Sequence, residues 1–247
     1  MTLWPYPRIV AHRGGGTLAP ENTLGALRLG AQMGFKGVEF DVMLAGDGTP
    51  VLIHDRTLER TTGVRGMVSA IPYEELGRLD AGKWRGERWR GERIPRFEEA
   101  ARLCRELGLW TNVEVKPAHG FERRTGAAVA RMAADLWRGA ERPPILSSFS
   151  SVALAAARAA APQLPRGLLL TRLPPHWREM LRDLECAALH ANFRVLKARV
   201  VDEAHAAGCA VVAWTVNDRR PARRMLGLGV DCLVTDRLDR IGPGFPD

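Results

Sequence analysis

Acidic side chains stand at alternate positions in two short apolar stretches of this sequence. Glu39 and Asp41 are two residues apart, so on an extended strand they lie on the same face, in rows about 6.7 Å apart. Glu114 lies in a later stretch of the same kind, Asn112–Lys116. Carboxylate oxygens suit a hard divalent cation. We therefore expect Glu39, Asp41 and Glu114 to hold one such cation, although a Glu-x-Asp pair alone is more often the solvated face of a strand.

Basic side chains and histidines accompany these acids. His12 and Arg13 end the first predicted strand, His54 ends a short strand over 51–53, and Lys116 shares a strand face with Glu114. Taken singly, each has an ordinary structural explanation, such as a salt bridge. Together they suit phosphate-ester hydrolysis, in which the cation and the two basic groups, Arg13 and Lys116, neutralise phosphate charge. The two histidines would act as general acid and base, since they titrate near neutral pH.

Strand and helix patterns alternate along most of the chain, and the fold that this alternation predicts would bring these residues together. About eight strand–helix units follow one another, which predicts an α/β fold, a closed parallel (β/α)8 TIM barrel forming a single domain over residues 1–247. In such a barrel the carboxyl ends of the strands meet at one mouth. An open doubly wound sheet is the alternative, but the chain lacks its Gly-x-Gly-x-x-Gly loop, since Arg13–Gly16 has the wrong spacing.

A polar, glycine-rich segment, residues 56–93, interrupts this alternation after the second strand. It contains the sequence Trp-Arg-Gly-Glu twice, at 84–87 and 89–92. A connection of this length is unusual within a compact domain and is often functional. We expect a short insertion or lid, whose aromatic residues serve packing.

Composition narrows the class of protein. The 247 residues are 46% apolar and 26% charged, with a formal net charge of +8. This charge favours an anionic partner, but the arginines are spread out, so nucleic-acid binding is the weaker interpretation.

The four cysteines are far apart in the sequence, which argues against a zinc site or disulfide bonds. Neither a signal peptide nor an apolar run long enough for a membrane span is apparent, and we expect a cytoplasmic protein.

Several segments, taken in order, resemble those of the glycerophosphodiester phosphodiesterases. The resemblance extends over nearly the whole chain and is closest to the short cytosolic bacterial type. The matching segments are His12–Gly14, Pro20–Thr23, Gly37–Val42, Leu52–Asp55, Gly91–Pro95, Asn112–Pro117, Leu146–Phe149, Trp214–Asn217, Gly229–Asp231 and Val234–Asp236.

This resemblance implies a barrel enzyme of lipid and glycerol metabolism that uses Mg²⁺ or Ca²⁺. Its substrates would be small glycerophosphodiesters, such as glycerophosphocholine and glycerophosphoethanolamine, hydrolysed to sn-glycerol 3-phosphate and an alcohol. It places the metal on Glu39, Asp41 and Glu114 and makes His12 and His54 the acid–base pair. The resemblance further implies four substrate ligands: Arg13 and Lys116 for phosphate, and Phe149 and Trp214 for glycerol.

Two alternatives stay open from the sequence. One is a phospholipase-D-like enzyme acting on a lysophospholipid or sphingolipid, which an exposed apolar rim would favour and the polar 56–93 segment disfavours. The other is a nucleic-acid-binding protein. The leaving alcohol, the choice between Mg²⁺ and Ca²⁺, the separate roles of the two histidines and the oligomeric state are not determined by the sequence.

Overall fold

The structure, a computed structural model, describes residues 4–246 and joins nine strands in one sheet. The strands are β1 Ile9–Ala11, β2 Gly37–Leu44, β3 Pro50–Leu52, β4 Trp110–Val115, β5 Ile145–Ser148, β6 Arg166–Leu170, β7 Ala188–Asn192, β8 Ala210–Trp214 and β9 Cys232–Thr235. Their near-continuous apolar composition is typical of parallel strands that are buried on both faces.

Eight of these strands close into a parallel barrel. The sheet runs in the order β1-β9-β8-β7-β6-β5-β4-β2, and β1 also pairs with β2, which joins the two ends. The remaining strand, β3, pairs antiparallel with the outer end of β2 through a tight turn at Gly46–Gly48. The predicted (β/α)8 barrel is confirmed, and an open doubly wound sheet is excluded by the β1–β2 pairing.

Helices cover the outside of the barrel. They are α1 Leu24–Gln32, α2 Glu59–Thr62, α3 Tyr73–Leu76, α4 Phe97–Glu106, α5 Glu122–Leu136, α6 Ser151–Ala160, α7 Trp177–Asp183, α8 Ala198–Ala206 and α9 Arg219–Gly227. Thr23 is the N-cap of helix α1: the Thr23 hydroxyl accepts a hydrogen bond from the Ala26 amide at 3.1 Å. This cap satisfies one of the backbone donors that the first turn of a helix leaves free.

The 56–93 segment is more ordered than a loop. It contains α2, α3 and three-residue 3-10 turns, and it covers its own small apolar cluster, which includes Met43, Ile53, Leu58 and Leu76. Of its two repeated tryptophans, Trp84 is largely exposed. The segment is therefore a folded cover built on the β2–β3 hairpin.

Two apolar layers support the barrel. The larger lies between the sheet and the surrounding helices. The smaller fills the lower lumen, where Val10, Trp110, Ile145 and Val212 pack under Trp4. The buried acids Glu39, Asp41 and Glu114 lie farther along β2 and β4, toward the carboxyl ends of the strands. Within residues 4–246, no helix is both long enough and apolar enough to cross a bilayer.

The Thr23 cap gives a test of how α1 is held. Thr23 is fully buried, and its hydroxyl also donates to the Pro20 carbonyl at 2.8 Å. We expect Thr23→Ala to lower the free energy of unfolding by about 1–2 kcal/mol, because a buried donor and acceptor lose their partner. Urea unfolding measures this. Thr23→Ser keeps the hydroxyl and should recover most of the loss, whereas equal destabilisation by both variants would contradict the capping role.

Candidate active site

Three carboxylates converge in the upper lumen. Glu39 and Asp41 come from β2 and Glu114 from β4, and the strand register sets Asp41 directly beside Glu114. One oxygen from each of the three lies within 4.8 Å of the others. All three residues are buried, at 3%, 1% and 9% exposure. The structure thus brings together the three acids that the sequence predicts as one ligand set.

Burial of these three carboxyl groups, together with their closeness to one another, shifts their pKa values. Burial, reinforced by the charge of Asp41, raises the pKa of Glu39 to about 7 and that of Glu114 to about 8. Burial also opposes ionisation of Asp41, but Lys116 and Arg13 outweigh it and hold the pKa of Asp41 below its usual value. Asp41 is therefore the constant negative charge of the cluster, and the two glutamates are the groups that gain or lose protons.

The two predicted phosphate ligands lie beside these acids. The Lys116 Nζ is 3.5 Å from an oxygen of Asp41 and 3.5 Å from one of Glu114. The Arg13 Nε is 3.5 Å from Asp41, while its backbone amide donates to Glu39 at 3.0 Å. These two cations compensate part of the acidic charge and stand where an anionic group on a substrate would meet them.

Asn22, which sequence reasoning did not assign to the site, fixes the orientation of Asp41. Its side-chain amide donates to the Asp41 carboxylate at 2.8 Å and its carbonyl oxygen accepts from the Asp41 backbone amide at 3.1 Å. Asn22 and Arg13 both have positive φ, 59° and 50°. This backbone conformation is uncommon outside glycine, and such strain concentrates at functional sites.

His12 is oriented by a carboxylate from the far end of the chain. Its Nδ1 is 2.5 Å from Asp236, which in turn accepts from the Asn217 side chain at 3.0 Å. Although burial opposes it, the bond to His12 holds the pKa of Asp236 at about 2. An ionised Asp236 can only accept, so His12 donates through Nδ1, and Nε2, 3.7 Å from Glu39, faces the acid cluster.

The His12–Asp236 contact requires a close approach of two backbones. Gly16, with φ 53°, lies so near the Asp236 carbonyl that an added Cβ would sit 2.2 Å from that oxygen. A glycine is therefore needed where the loop after β1 crosses the end of β9.

Burial lowers the pKa of His12, but the negative charges of Glu39 and Asp236 more than offset this effect, so that the pKa of His12 is raised.

His54 is held in a parallel way by its chain neighbour. Its Nδ1 is 2.6 Å from Asp55, and Arg60 donates to the same carboxylate at 2.6 Å. The Arg60 bond is the largest cause that lowers the pKa of Asp55 to about 2. Arg60 also makes two bonds to Glu21, which accepts from Arg13 as well. A continuous chain of ion pairs thus connects His54 with Arg13, and burial lowers the pKa of His54.

A cavity of about 270 Å³ opens beside the acids and contains both predicted aromatic residues. Phe149 and Trp214 meet edge to face, with ring centroids 5.4 Å apart, and form an apolar wall. His190 lies at the cavity floor, 1% exposed, with both ring nitrogens lacking a hydrogen-bond partner among residues 4–246. All nine residues predicted for the site therefore adjoin one region of the barrel mouth.

The acid cluster fits a divalent cation. One oxygen of Glu39 and one of Glu114 are buried without a hydrogen-bond partner in the described chain, although buried carboxylate oxygens are normally satisfied. Both belong to the three-acid group. An all-oxygen donor set of this charge suits Mg²⁺ or Ca²⁺ better than a thiol-seeking metal. The chemistry available at this mouth is cation-assisted hydrolysis beside two oriented imidazoles.

Sequence reasoning missed the residues that orient these groups. Glu21 and Asn22 lie in the loop after β1, and Arg60 lies in α2, while Asn217 and Asp236 follow β8 and β9. Position gave a partial signal, because most of these residues follow the carboxyl end of a strand. Arg60 gave none, since it lies within the 56–93 segment that the sequence left unassigned.

Comparison with known proteins agrees with this geometry. Residues 12–240 match the profile of the glycerophosphoryl diester phosphodiesterase family. A glycerophosphodiester phosphodiesterase from Caldanaerobacter subterraneus subsp. tengcongensis is 34% identical over 233 residues, covering 92% of this chain and 93% of that protein. One from Bacillus altitudinis is 31% identical, covering 94% of this chain and 96% of the relative.

Solved structures resemble the fold equally well. A phosphodiesterase from Oleispira antarctica, in complex with the product sn-glycerol-3-phosphate, superposes with a TM-score of 0.88 at 39% identity, covering 94% of each chain. A glycerophosphodiester phosphodiesterase from Agrobacterium tumefaciens gives a TM-score of 0.78 at 26% identity, covering 94% of this chain and 97% of the other.

The raised pKa values of Glu39 and Glu114, about 7 and about 8, give a test of the cation site. A group with a raised pKa still holds its proton at pH 6, so a cation must displace it. We expect the affinity for Mg²⁺ or Ca²⁺ to rise between pH 6 and pH 9 and then level off. Calorimetry at pH 6 in two buffers of different ionisation enthalpy should detect proton release, which should disappear above pH 9. Binding without proton release at pH 6 would contradict this.

Proposed function

This chain belongs to the glycerophosphoryl diester phosphodiesterase family and is a phosphoric diester hydrolase, and on that premise we propose which substrates and residues it uses. Its substrates are glycerophosphodiesters such as glycerophosphocholine and glycerophosphoethanolamine, cleaved to sn-glycerol 3-phosphate and an alcohol. The observation that carries the proposal is the set of three buried acids flanked by His12 and His54, each hydrogen-bonded through Nδ1 to a carboxylate.

The Oleispira antarctica structure supports a substrate with a free glycerol end. The product in the Oleispira antarctica complex is sn-glycerol-3-phosphate, which bears no acyl chain. Cleavage of a lysophospholipid by a phospholipase-D-like reaction would instead release a product that keeps its acyl chain. We therefore propose the small diester rather than the lysophospholipid as the substrate of this chain.

The cation site in this proposal consists of Glu39, Asp41 and Glu114. Their oxygens lie close enough to share one ion, and the pairing of Asp41 with Asn22 keeps that carboxylate in place. A divalent cation bound there neutralises phosphate charge and helps to orient the ester. Whether Mg²⁺ or Ca²⁺ is used follows from ligand number and cavity flexibility, which differ between these ions.

The remaining work falls to four side chains at the mouth. Arg13 and Lys116 bind phosphate oxygens, for which guanidinium and ammonium groups are suited. His12 and His54 transfer protons: one accepts the proton of the attacking water, and the other donates a proton to the oxygen of the leaving alcohol. The carboxylates on their Nδ1 atoms keep Nε2 of each ring directed to the reaction.

Phe149 and Trp214 complete the substrate site. Their edge-to-face pair lines the same cavity as the polar side chains of His190 and Thr171. An apolar wall opposite polar groups fits the carbon backbone and hydroxyls of glycerol, and it limits the water that reaches the phosphate.

Removal of one acid tests the cation site. We expect Asp41→Asn to abolish release of glycerol 3-phosphate from glycerophosphocholine, because it removes the constant charge of the cluster. A coupled assay with glycerol-3-phosphate dehydrogenase measures the product, and calorimetry measures cation affinity. Asp202→Asn, an exposed change on α8, is the matched control. Chelator should abolish wild-type activity, and excess cation should restore it. Full activity of Asp41→Asn with unchanged cation affinity would refute the assignment.

The histidines make a separable prediction. We expect His12→Gln and His54→Gln each to lower kcat by about 10² to 10⁴ while cation binding persists, since they move protons and are not cation ligands. Asp236→Asn removes only the carboxylate that orients His12, and it should lower kcat by no more than His12→Gln does while cation affinity is unchanged. Steady-state kinetics and calorimetry on the same preparations separate the two effects. Unaltered kcat in His54→Gln would remove it from the proton-transfer pair.

A further inference from the structure

A second cavity adjoins the first at the barrel mouth. It has a volume of about 530 Å³, against about 270 Å³ for the first, and both are lined by His54, Glu114, Lys116 and Phe149. These shared residues include the groups proposed above to act on the phosphate. A phosphodiester carries two different ester groups, so a phosphate at this shared wall would extend one group into each cavity.

The linings indicate which ester group belongs where. The first cavity is the deeper one, since its walls include the buried Asn112 and His190 and the side chain of Trp214. Glycerol, which every substrate of the proposed reaction contains, suits this fixed polar and aromatic space. The second cavity is lined partly by residues at the starts of helices, Glu122 in the first turn of α5 and Ser150 as the cap of α6. It is the larger space and suits the variable alcohol.

The charged side chains that line the second cavity fall into two groups, those that form ion pairs and those that do not. Lys116 is paired with Asp41 and Glu114, and Asp55 is paired with Arg60. The two other charged side chains of the lining, Arg56 and Glu122, form no ion pair with any residue of the described 4–246 range.

The contacts of Glu122 also leave its carboxylate available to a ligand. Glu122 accepts one hydrogen bond, from the Gly120 amide at 3.1 Å, so much of its acceptor capacity stays free. Hydrogen bonding to backbone amides is the main cause that lowers the pKa of Glu122, and the positive charge of Arg56, which lines the same cavity, adds to this effect. The cavity therefore presents one free anion and one free cation.

We propose that the second cavity receives the leaving alcohol, and that Glu122 and Arg56 select an alcohol with both an ammonium and a carboxylate group, as in a phosphoserine ester. This inference rests on the proposed function. Glu122 alone would favour any alcohol that carries an ammonium group. Arg56, however, repels an alcohol that carries only a positive charge. If the alcohol also carries a carboxylate, Arg56 attracts that carboxylate. Phe149 is 47% exposed and belongs to the shared wall, and an aromatic ring of this kind attracts an ammonium group.

Three substrates with the same glycerol and different alcohols test the proposal: glycerophosphoserine, glycerophosphoethanolamine and glycerophosphoglycerol. The readout is kcat/KM for release of glycerol 3-phosphate, expressed for each substrate with a charged alcohol as a ratio to glycerophosphoglycerol, whose leaving alcohol is uncharged. We expect Arg56→Gln to lower the serine ratio about two- to fivefold, the range for partly exposed ion pairs, and not to lower the ethanolamine ratio. We expect Glu122→Gln to lower both ratios, because both alcohols carry an ammonium group.

Matched controls make the same changes of charge elsewhere. Glu179→Gln on α7 and Arg220→Gln on α9 are exposed and lie outside both cavity linings, and they should alter neither ratio. Equal effects of Arg56→Gln on all three substrates, or ratios that also change in the controls, would overturn the selectivity proposal while the phosphodiesterase activity stands. If the wild-type enzyme releases glycerol 3-phosphate from none of the three substrates, the proposed function and this inference both fail.

Discussion

The mutual repulsion of three buried carboxylates is the constraint around which the barrel mouth is built. Glu39, Asp41 and Glu114 lie close together in the lumen, where removal from water makes unpaired charge costly. Compensation comes from Lys116 and Arg13, and from protons that the two glutamates retain near neutral pH. A divalent cation in place of those protons would neutralise the same repulsion, which makes the cluster compatible with a bound metal.

Several groups near this cluster are held by contacts that connect distant parts of the chain. His12 on the first strand depends on Asp236 after the last, 224 residues away, and this pair forms only because β1 and β9 are neighbours in the closed barrel. Closure therefore does more than complete the sheet. It sets one imidazole at the acids and leaves its Nε2 free, while Asn217 after β8 orients the carboxylate behind it.

The 56–93 segment has a structural role at the opposite side of the mouth. Arg60 in this segment bonds both Asp55 and Glu21, and so connects the hairpin that carries His54 to the loop that carries Arg13. A surface ion pair contributes little by itself, but several that share partners order one another more effectively. The insertion that interrupts the barrel pattern is thus part of the support for its reactive groups.

Local sequence patterns determined the fold and the faces of the strands on which the candidate site residues lie. Alternation on β2 and β4 placed Glu39, Asp41, Glu114 and Lys116 on inward faces, since the strand period is fixed by backbone geometry. Repeated strand–helix units gave the barrel, and the barrel gave the mouth at which those residues meet.

What only the tertiary structure decided is the set of contacts between elements far apart in the chain. The Asp236 bond to His12, the Asn22 clamp on Asp41 and the Arg60 bridge depend on strand closure, on backbone with positive φ and on a folded insertion. No periodic pattern encodes these features, because each depends on where two separate segments come to lie. The second cavity, formed where the ends of several elements meet, is of the same kind.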